Sequence, residues 1–246
     1  MTCDLNCDMG EGIGNDAAII PYITSANIAC GYHAGDEKTM YNTVMLAKKF
    51  GVAIGAHPSF ADRENFGRTE MKGVSTQQVY DLVTKQLRIL QKIVLQCDAQ
   101  LHHLKPHGAL YNMAARDASL AAAIARALND FDVHLVLIGL SGSQLITQAK
   151  AMGIKTASEV FADRTYQEDG SLTPRNQNNA LIHDEEQSLK QVLRMLKSGK
   201  VTTVSGTEIS IIAETICIHG DGKNAVAFAK SIHDQLKAEG IEMKAV

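Results

Sequence analysis

The feature that most constrains the fold is a regular alternation, along the whole chain, of short apolar runs and longer amphipathic stretches. Residues 76–96 carry apolar side chains every three or four positions, which is the pattern of a helix that buries one face. Further helices are predicted at 119–129, 142–152, 184–197 and 224–239. Strands are predicted at 3–9, 26–30, 53–56, 101–105, 134–138 and 155–161, with one or two more among 201–204, 209–213 and 215–219. Strands that alternate with helices indicate βα units around a parallel sheet, here a single α/β barrel.

The length fits that architecture, because 246 residues is within the range of one α/β barrel. No linker-like or repeated segment divides the sequence, so residues 1–246 are expected to form a single domain. The polar segment 162–180 interrupts the alternation directly after a predicted strand. Because a long loop in a compact domain is usually functional or mobile, we expect this segment to lie over the catalytic face.

Charge and apolar content exclude several classes of partner. The 24 basic and 27 acidic residues are nearly balanced and form no basic block, which argues against a nucleic-acid partner. The N-terminus has neither the cationic start nor the apolar run of a signal peptide, and the longest apolar stretches are too short to span a bilayer. Five scattered cysteines are typical of reduced thiols. The sequence therefore predicts a cytoplasmic protein without a membrane partner.

Polar side chains concentrate where the predicted strands run and end. In the segment DLNCDMGEG, the side chains of Asp4, Asn6 and Asp8 share one face because side chains alternate along a strand. The opposite face is apolar and suits the layer beneath the helices, so the polar face should line the barrel interior. Buried polar groups are costly unless they are paired or functional, and Glu11 follows in the adjoining loop.

The next two segments place histidines after predicted strands. In SANIACGYHAGDEKTM, His33 lies in a glycine-flanked loop, and Asp36 fits either the N-cap of the following helix or a binding residue. In AIGAHPSFADRENFGRTEM, a strand delivers His57, and Arg68 follows in a loop where arginine suits carboxylate or phosphate binding. Active-site groups in barrels lie at the carboxyl ends of strands, which is where these residues are expected.

The fourth segment, LHHLKPHGALYN, puts His103, Lys105 and His107 on one face, which is unusual for a structural core. A lysine held near histidines is expected to have a lowered pKa, which suits acid–base catalysis. Two weaker segments, SEVFADR and CIHGD, add Glu159, Arg164 and His219 at corresponding strand ends.

Together these segments resemble the LamB/YcsF family. The matching segments are DLNCDMGEG, TSANIACGYHAGD, GVAIGAHPSF with FGR, LKPHGALYNMAARD, GLSGS, EVFADRTYQEDGSLTPR and CIHGD. They extend from near residue 4 to residue 221, so the resemblance covers most of the chain. It implies a single distorted (β/α)7-type barrel, similar to the glycoside hydrolase and deacetylase folds.

The resemblance also implies an activity, the ATP-dependent opening of the lactam of 5-oxo-L-proline to L-glutamate, in a complex with two further subunits, B and C. Under this hypothesis Asp8 or His107 is the base, Lys105 and His57 stabilise developing charge, and Arg68 or Arg164 binds the carboxylate. Further substrate contacts are expected from Asn6, Glu11, His33, Asp36, Glu159 and His219. ATP would be a co-substrate with Mg²⁺, but the chain has no GxxxxGK[ST] motif, so any ATP contact is non-standard or shared with the partners.

Two other functions fit the same residues. A metal-dependent amide or carbohydrate deacetylase would use Asp8, His33, His57 and His107 to bind a transition metal with an open coordination position. Alternatively, the chain is a non-catalytic binding subunit, although the dense ring of ionisable residues argues against that role. Metal analysis, and an assay with and without the partner subunits, would distinguish these functions. The sequence leaves open whether copies of the chain form a homo-oligomer.

Overall fold

The structure is a computed structural model that describes residues 1–218, 220 and 225–246. Its strands are β1 (Thr2–Met9), β2 (Ser25–Ala29), β3 (Ala53–His57), β4 (Leu101–Leu104), β5 (Val136–Leu140), β6 (Thr156–Phe161), β7 (Lys200–Thr202), β8 (Glu208–Ser210), β9 (Thr215–Ile218) and β10 (Glu242–Met243). Its helices are α1 (Asp16–Ile19), α2 (Glu37–Phe50), α3 (Thr76–Gln96), α4 (Gly108–Arg116), α5 (Ala118–Phe131), α6 (Gln144–Ala151), α7 (Glu185–Ser198) and α8 (Ala225–Ala238).

Seven parallel strands close into a barrel, which confirms the predicted (β/α)7-type architecture. Their order is β1-β2-β3-β4-β5-β6-β9, and β9 pairs back with β1. Strand β10 adds to the start of β1, so the two ends of the chain meet at the amino-terminal face of the barrel. None of the helices in the described ranges has both the length and the apolar character needed to cross a membrane.

The three segments near the C-terminus differ from the prediction. All three contain strands, but only β9 belongs to the barrel, because β7 and β8 pair with each other in an antiparallel ladder. Strand β5 begins at Val136, two residues later than predicted at its N-terminal side, because Asp132 Oδ1 accepts a hydrogen bond from the His134 N–H and shapes a turn there.

The apolar core lies between the barrel and its surrounding helices. Helix α3 begins with a capping box, in which Ser75 and Gln78 bond reciprocally, and buries the stripe that includes Val79, Val83 and Leu87. The apolar face of β1 contributes Leu5 to the same layer. All five cysteines are free and buried, as expected for reduced thiols.

The interior of the barrel is polar, as the alternation in β1 predicts. Asp4 is 1% exposed and accepts hydrogen bonds from the hydroxyl groups of Thr24, Ser25 and Thr215 at 2.5–2.7 Å. These bonds offset the cost of burying the carboxyl group, which also has a raised pKa because of its burial. The lower barrel is therefore filled by a satisfied polar network, and the cavity begins above it.

A glycine in β3 leaves room for a histidine ring inside the barrel. Gly55 of β3 is paired with His103 of β4, and a Cβ at position 55 would overlap the His103 ring. The buried His103 ring instead occupies that space and its Nε2 lies 2.9 Å from Asn27 Oδ1. Burial lowers the pKa of His103 well below its usual range, so this histidine is a neutral support beneath the site.

Candidate active site

A cavity of about 890 Å³ opens at the carboxyl ends of the barrel strands. Asp8 at the end of β1, His57 at the end of β3 and Lys105 just after β4 line its floor, together with His107 at the N-cap of α4. The structure thus brings together the four residues that the sequence proposed as catalytic. Segment 162–180, which the sequence placed over this face, lines the cavity with Gln167 and with residues 169–177.

Lys105 is the centre of the charged network. Its Nζ lies 2.7 Å from Glu159 Oε1, 3.0 Å from Asp8 Oδ1, 3.1 Å from Asn6 Oδ1 and 3.1 Å from Cys217 Sγ. The ammonium group has three protons to donate, so its donors are fully used by protein acceptors.

The predicted low pKa of Lys105 is wrong. Burial alone would lower it, but the neighbouring Asp8, Cys217 and Glu159 outweigh that effect and raise the pKa of Lys105 well above its usual value. Lys105 therefore stays protonated at neutral pH. It can stabilise negative charge and hold two carboxylates in place, but it is not the base.

Three residues in this network were not singled out from the sequence. Tyr111 donates its hydroxyl proton to Glu159 Oε2 at 2.6 Å, and the Asn27 amide donates to Asp8 Oδ1 at 2.9 Å and Asn6 Oδ1 at 2.7 Å. Cys217 is the third, through its contact with Lys105. Alternation along β2 could have found Asn27, which shares a face with Ser25. No sequence signal identifies Tyr111, which arrives from helix α4.

Backbone carbonyls fix the tautomers of two histidines. His57 Nδ1 lies 2.7 Å from Lys105 O, and His107 Nε2 lies 3.0 Å from Phe66 O. A carbonyl oxygen only accepts hydrogen bonds, so each of these ring nitrogens must carry the proton. In the neutral rings, the lone pairs are then on His57 Nε2 and His107 Nδ1.

These two lone pairs face each other. His57 Nε2 and His107 Nδ1 are 2.9 Å apart, and Asp8 Oδ2 is 3.2 Å from the same His57 nitrogen. Burial, with His57 and His33 nearby, lowers the pKa of His107 well below its usual range, so His107 itself stays neutral. Three electron-rich atoms therefore converge on one point, which is an arrangement that favours a cation such as a metal ion.

A metal-binding donor set surrounds this point. Glu11, His33, His57 and His107 each present a ligand atom, and these atoms all lie within 4.8 Å of one another. The carboxylate in this group is Glu11, whereas the sequence had proposed Asp8 for that position. Imidazole and carboxylate are suitable ligands for zinc and related transition metals.

His33 strengthens the fit to a metal. Burial, with His57 nearby, lowers the pKa of His33 to about 3, so the ring is neutral and can act as a ligand. Both of its ring nitrogens are buried without a hydrogen-bond partner in the described part of the chain, and Nε2 lies 3.5 Å from Glu11 Oε1. The ring stacks on His107 with centroids 4.0 Å apart. The residues present therefore fit a divalent ion.

The strained loop that contains Phe66 and Gly67 contacts the histidines of the site. Phe66 has φ of 57°, a left-handed conformation that is uncommon for a bulky residue, and this geometry turns its carbonyl toward His107. Gly67 follows at φ of 66°, and a Cβ there would overlap Ser59 Oγ and lie 2.9 Å from His33 Cβ. The FGR sequence thus supplies the close backbone approach that fixes the His107 tautomer.

The remaining predicted residues lie farther from the floor. Arg68 lines the cavity with its guanidinium carbon 5.0 Å from the Phe66 ring centroid. Arg164 is buried and donates to Thr173 O at 2.6 Å and Ala180 O at 3.2 Å, so it fastens segment 162–180. Burial, with Arg175 nearby, lowers the pKa of Arg164 to about 10.

Two predicted substrate-binding residues, Asp36 and His219, are not part of the network that the structure describes around the cavity floor. The exposed Asp36 is the N-cap of α2, where its carboxylate accepts a hydrogen bond from Thr39 N at 2.7 Å. The structure thus gives Asp36 the capping role that the sequence had left as an alternative. His219 lies outside the described residues. Asn6, Glu11, His33 and Glu159 are all within the network around the cavity floor.

Comparison with known proteins gives a family. The sequence profile of the LamB/YcsF family matches residues 3–246. Two relatives, from Brevibacillus brevis and Staphylococcus carnosus, are each named as the A subunit of 5-oxoprolinase. They are 55% and 52% identical to this chain, over 99% of it and 98% of their own lengths.

Solved structures agree with the sequence comparison. The lactam utilization protein of Thermus thermophilus superposes with a TM-score of 0.92 at 40% identity, covering 100% of both chains. The peptidoglycan deacetylase PdaC of Bacillus subtilis superposes with a TM-score of 0.52 at 13% identity, over 100% of this chain and 87% of that one, which indicates a shared fold only. The chain is a member of the LamB/YcsF family.

Proposed function

We propose that this chain is the A subunit of an ATP-dependent 5-oxoprolinase, and that it opens the lactam of 5-oxo-L-proline to L-glutamate. The observation that carries the proposal is the position of Asp8, whose carboxylate lies 3.0 Å from Lys105 Nζ and 3.2 Å from His57 Nε2 at the floor of the cavity. A carboxylate between a cation and an imidazole can accept a proton from water while the cation stabilises developing negative charge. The names of the full-length relatives agree with this activity.

The reaction needs an activated carbonyl, because a lactam is a poor electrophile. We assign the activation to ATP, whose γ-phosphoryl group passes to the lactam oxygen and leaves ADP. Water then adds its oxygen to the ring carbon and gives one proton to Asp8. Cleavage of the ring C–N bond, with protonation of the nitrogen, leaves the γ-acyl phosphate of glutamate. A second water hydrolyses this acyl phosphate and gives glutamate and inorganic phosphate.

The other residues act on charge and position in this scheme. The charge of Lys105 and the His57 imidazole stabilise the oxyanion that develops on the attacked carbonyl group, and Arg68 and Arg164 add positive potential for the carboxylate and phosphate. His107 is the alternative base, since its neutral ring has a lone pair at the same point. Subunits B and C would supply the ATP contacts, in keeping with the missing P-loop sequence.

The proposal is tested by measuring glutamate from 5-oxo-L-proline and ATP, with the chain alone and with subunits B and C. We expect product only when all three subunits are present. Replacing Asp8 by Asn should lower the rate about 10²- to 10⁴-fold, the usual contribution of a general base. If complexes with Asp8→Asn and with His107→Gln each keep the full rate, the chain is a non-catalytic binding subunit instead.

A second candidate, a metal-dependent amide hydrolase, is favoured by the facing lone pairs of His57 and His107. A divalent ion at this point would act as a Lewis acid on an amide carbonyl. Mass spectrometric metal analysis of the purified chain tests this function, with His33→Gln as a ligand variant. One bound ion in the native chain, a lower content in the variant and loss of amide hydrolysis after chelation would favour it. Full glutamate formation by metal-free protein would exclude it.

A further inference from the structure

The GLSGS segment begins as strand β5 ends and is not used by the proposed chemistry. Leu140 of β5 is paired with Glu159 of β6, so the three residues that follow lie just beyond the level of Glu159. Residues 140–144 line the same cavity as the catalytic floor. The segment leads directly into helix α6, whose N-terminus is therefore at the cavity wall.

The backbone of this turn is fixed by hydrogen bonds. Ser141 N donates to Glu159 O at 2.9 Å, and its hydroxyl oxygen accepts from Ile212 N at 2.9 Å. Gly142 has φ of 76°, a left-handed conformation that glycine adopts without strain. Ser143 N then donates to Leu140 O at 3.0 Å, which closes the turn. The N-terminus of α6 is thus held rigidly.

Ser143 has an unused hydroxyl group. It occupies the N-cap position of α6, yet its side chain makes no capping bond, unlike Ser75 at the start of α3. Ser143 is only 6% exposed, and its Oγ is buried with no hydrogen-bond partner within the described residues. A buried hydroxyl without a partner costs free energy, so a ligand at this position would satisfy it.

The electrostatics favour an anion at this wall. The first N–H groups of a helix have no intrahelical acceptor, and the helix dipole places positive potential there. Arg164 and Arg175 line the same cavity from segment 162–180. The cavity floor, in contrast, contains the carboxyl groups of Asp8 and Glu159 and would repel a second anion.

We infer that the N-terminus of α6, with the Ser143 hydroxyl and the N–H groups of the first helical turn, binds the carboxylate of the lactam substrate. This inference rests on the proposed function, because that function supplies a substrate with both a lactam and a carboxylate. Held at this wall, the carboxylate lies away from Asp8 and leaves the lactam carbonyl to face Lys105 and His57. The site would therefore select lactams that carry an acid group.

A proline substitution provides a sharp test. Gln144 is the first residue of α6, where proline is well tolerated, and Ser143 already has the extended φ and ψ of −76° and 165° that a residue before proline requires. Gln144→Pro removes one N–H from the site and keeps the helix. Gln144→Ala is the matched control, since both variants lack the glutamine side chain. Ser143→Ala removes the hydroxyl group independently.

Calorimetry on the full chain would compare three ligands: 5-oxo-L-proline, 2-pyrrolidinone, which lacks the carboxylate, and inorganic phosphate. Relative to Gln144→Ala, we expect Gln144→Pro to weaken 5-oxoproline binding roughly 10- to 100-fold, the value of a hydrogen bond to a charged group. Binding of 2-pyrrolidinone should be unchanged. Ser143→Ala should also weaken 5-oxoproline binding. This variant keeps the test valid if the proline variant does not fold.

Two results would overturn the inference. Equal 5-oxoproline affinity in Gln144→Pro and Gln144→Ala, with no loss in Ser143→Ala, would show that the carboxylate binds elsewhere. Loss of phosphate binding alone would assign the site to a phosphoryl group. Glutamate formation by the wild-type complex is measured in parallel. If the wild-type complex forms glutamate, only the carboxylate site is wrong. If it forms none, the proposed function itself has failed.

Discussion

Replacing Lys105 by Met should remove a large part of the stability of the fold. The side chain is 3% exposed, and its Nζ lies 2.7 Å from Glu159, which is fully buried, and 3.0 Å from Asp8. Removing one member of a buried ion pair costs about 3–5 kcal/mol, because the remaining charges are left uncompensated. Since domains have about 5–15 kcal/mol of stability in total, we expect a large loss that urea denaturation followed by circular dichroism would measure.

The double variant Lys105→Met/Glu159→Gln is the matched control. A glutamine at position 159 keeps polar contact with Tyr111 and Asn6 but has no charge, so the double variant should recover at least about 2 kcal/mol relative to Lys105→Met. Lys190→Met, which removes an exposed lysine paired with Glu186, should leave the unfolding midpoint unchanged.

The stability difference between wild type and Lys105→Met depends on pH with a defined sign. Because the pKa of Lys105 is raised, its contribution to stability is complete below the unfolded value of about 10.4 and is lost as pH rises through the higher native value. The difference between wild type and Lys105→Met should therefore be constant from about pH 7 to 9. A loss smaller than about 1 kcal/mol, or a double variant no more stable than the single one, would refute this account of the network.

Three further predictions follow from neighbouring residues. Tyr111→Phe should cost about 1.5–3 kcal/mol in urea denaturation, because it removes a hydrogen bond to the buried Glu159 carboxylate; an unchanged midpoint would contradict this. Gly67→Ala should destabilise the protein and reduce activity more than Gly73→Ala, because both glycines have left-handed φ but only position 67 lacks space for a Cβ; equal effects would count against the strained-loop interpretation. Because the pKa of His103 is lowered, the unfolded state binds a proton that the native state does not, so stability falls as pH drops below about 6.5. His103→Gln should reduce that slope by up to about 1.4 kcal/mol per pH unit in denaturation curves from pH 7 to 5, and an unchanged slope would show that His103 is not the group responsible.

The local pattern of apolar and polar residues was sufficient to predict much of the fold. Alternation along β1 correctly placed Asp4 and Asn6 inside the barrel, and the apolar period of residues 76–96 gave both ends of α3. These features depend on neighbours within one strand or one helix, which a sequence displays directly. The short antiparallel pair β7–β8 and the two-residue strand β10 depend on long-range pairing and were not specified by the pattern.

The sequence grouped most of the residues that meet at the cavity floor, but it did not predict their electrostatics. The sequence places Lys105 beside His103 and His107, which suggested a lowered pKa, whereas the closed barrel places it against Asp8 and Glu159 from other strands. The tautomers of His57 and His107 likewise depend on two backbone carbonyls that only the fold brings into contact. Chemistry at the strand ends could therefore be anticipated, but the protonation states could not.

The role of this cavity in lactam opening is tested by the ratio of glutamate formed to ATP hydrolysed by the three-subunit complex, measured with wild-type chain and with Asp8→Asn. We predict coupled formation of glutamate with wild-type chain, and at least a hundredfold slower glutamate formation with Asp8→Asn although the complex still assembles. Undiminished glutamate formation with Asp8→Asn would contradict the assignment of Asp8 as the base, and no glutamate from the assembled wild-type complex would contradict the assignment of lactam opening to this cavity.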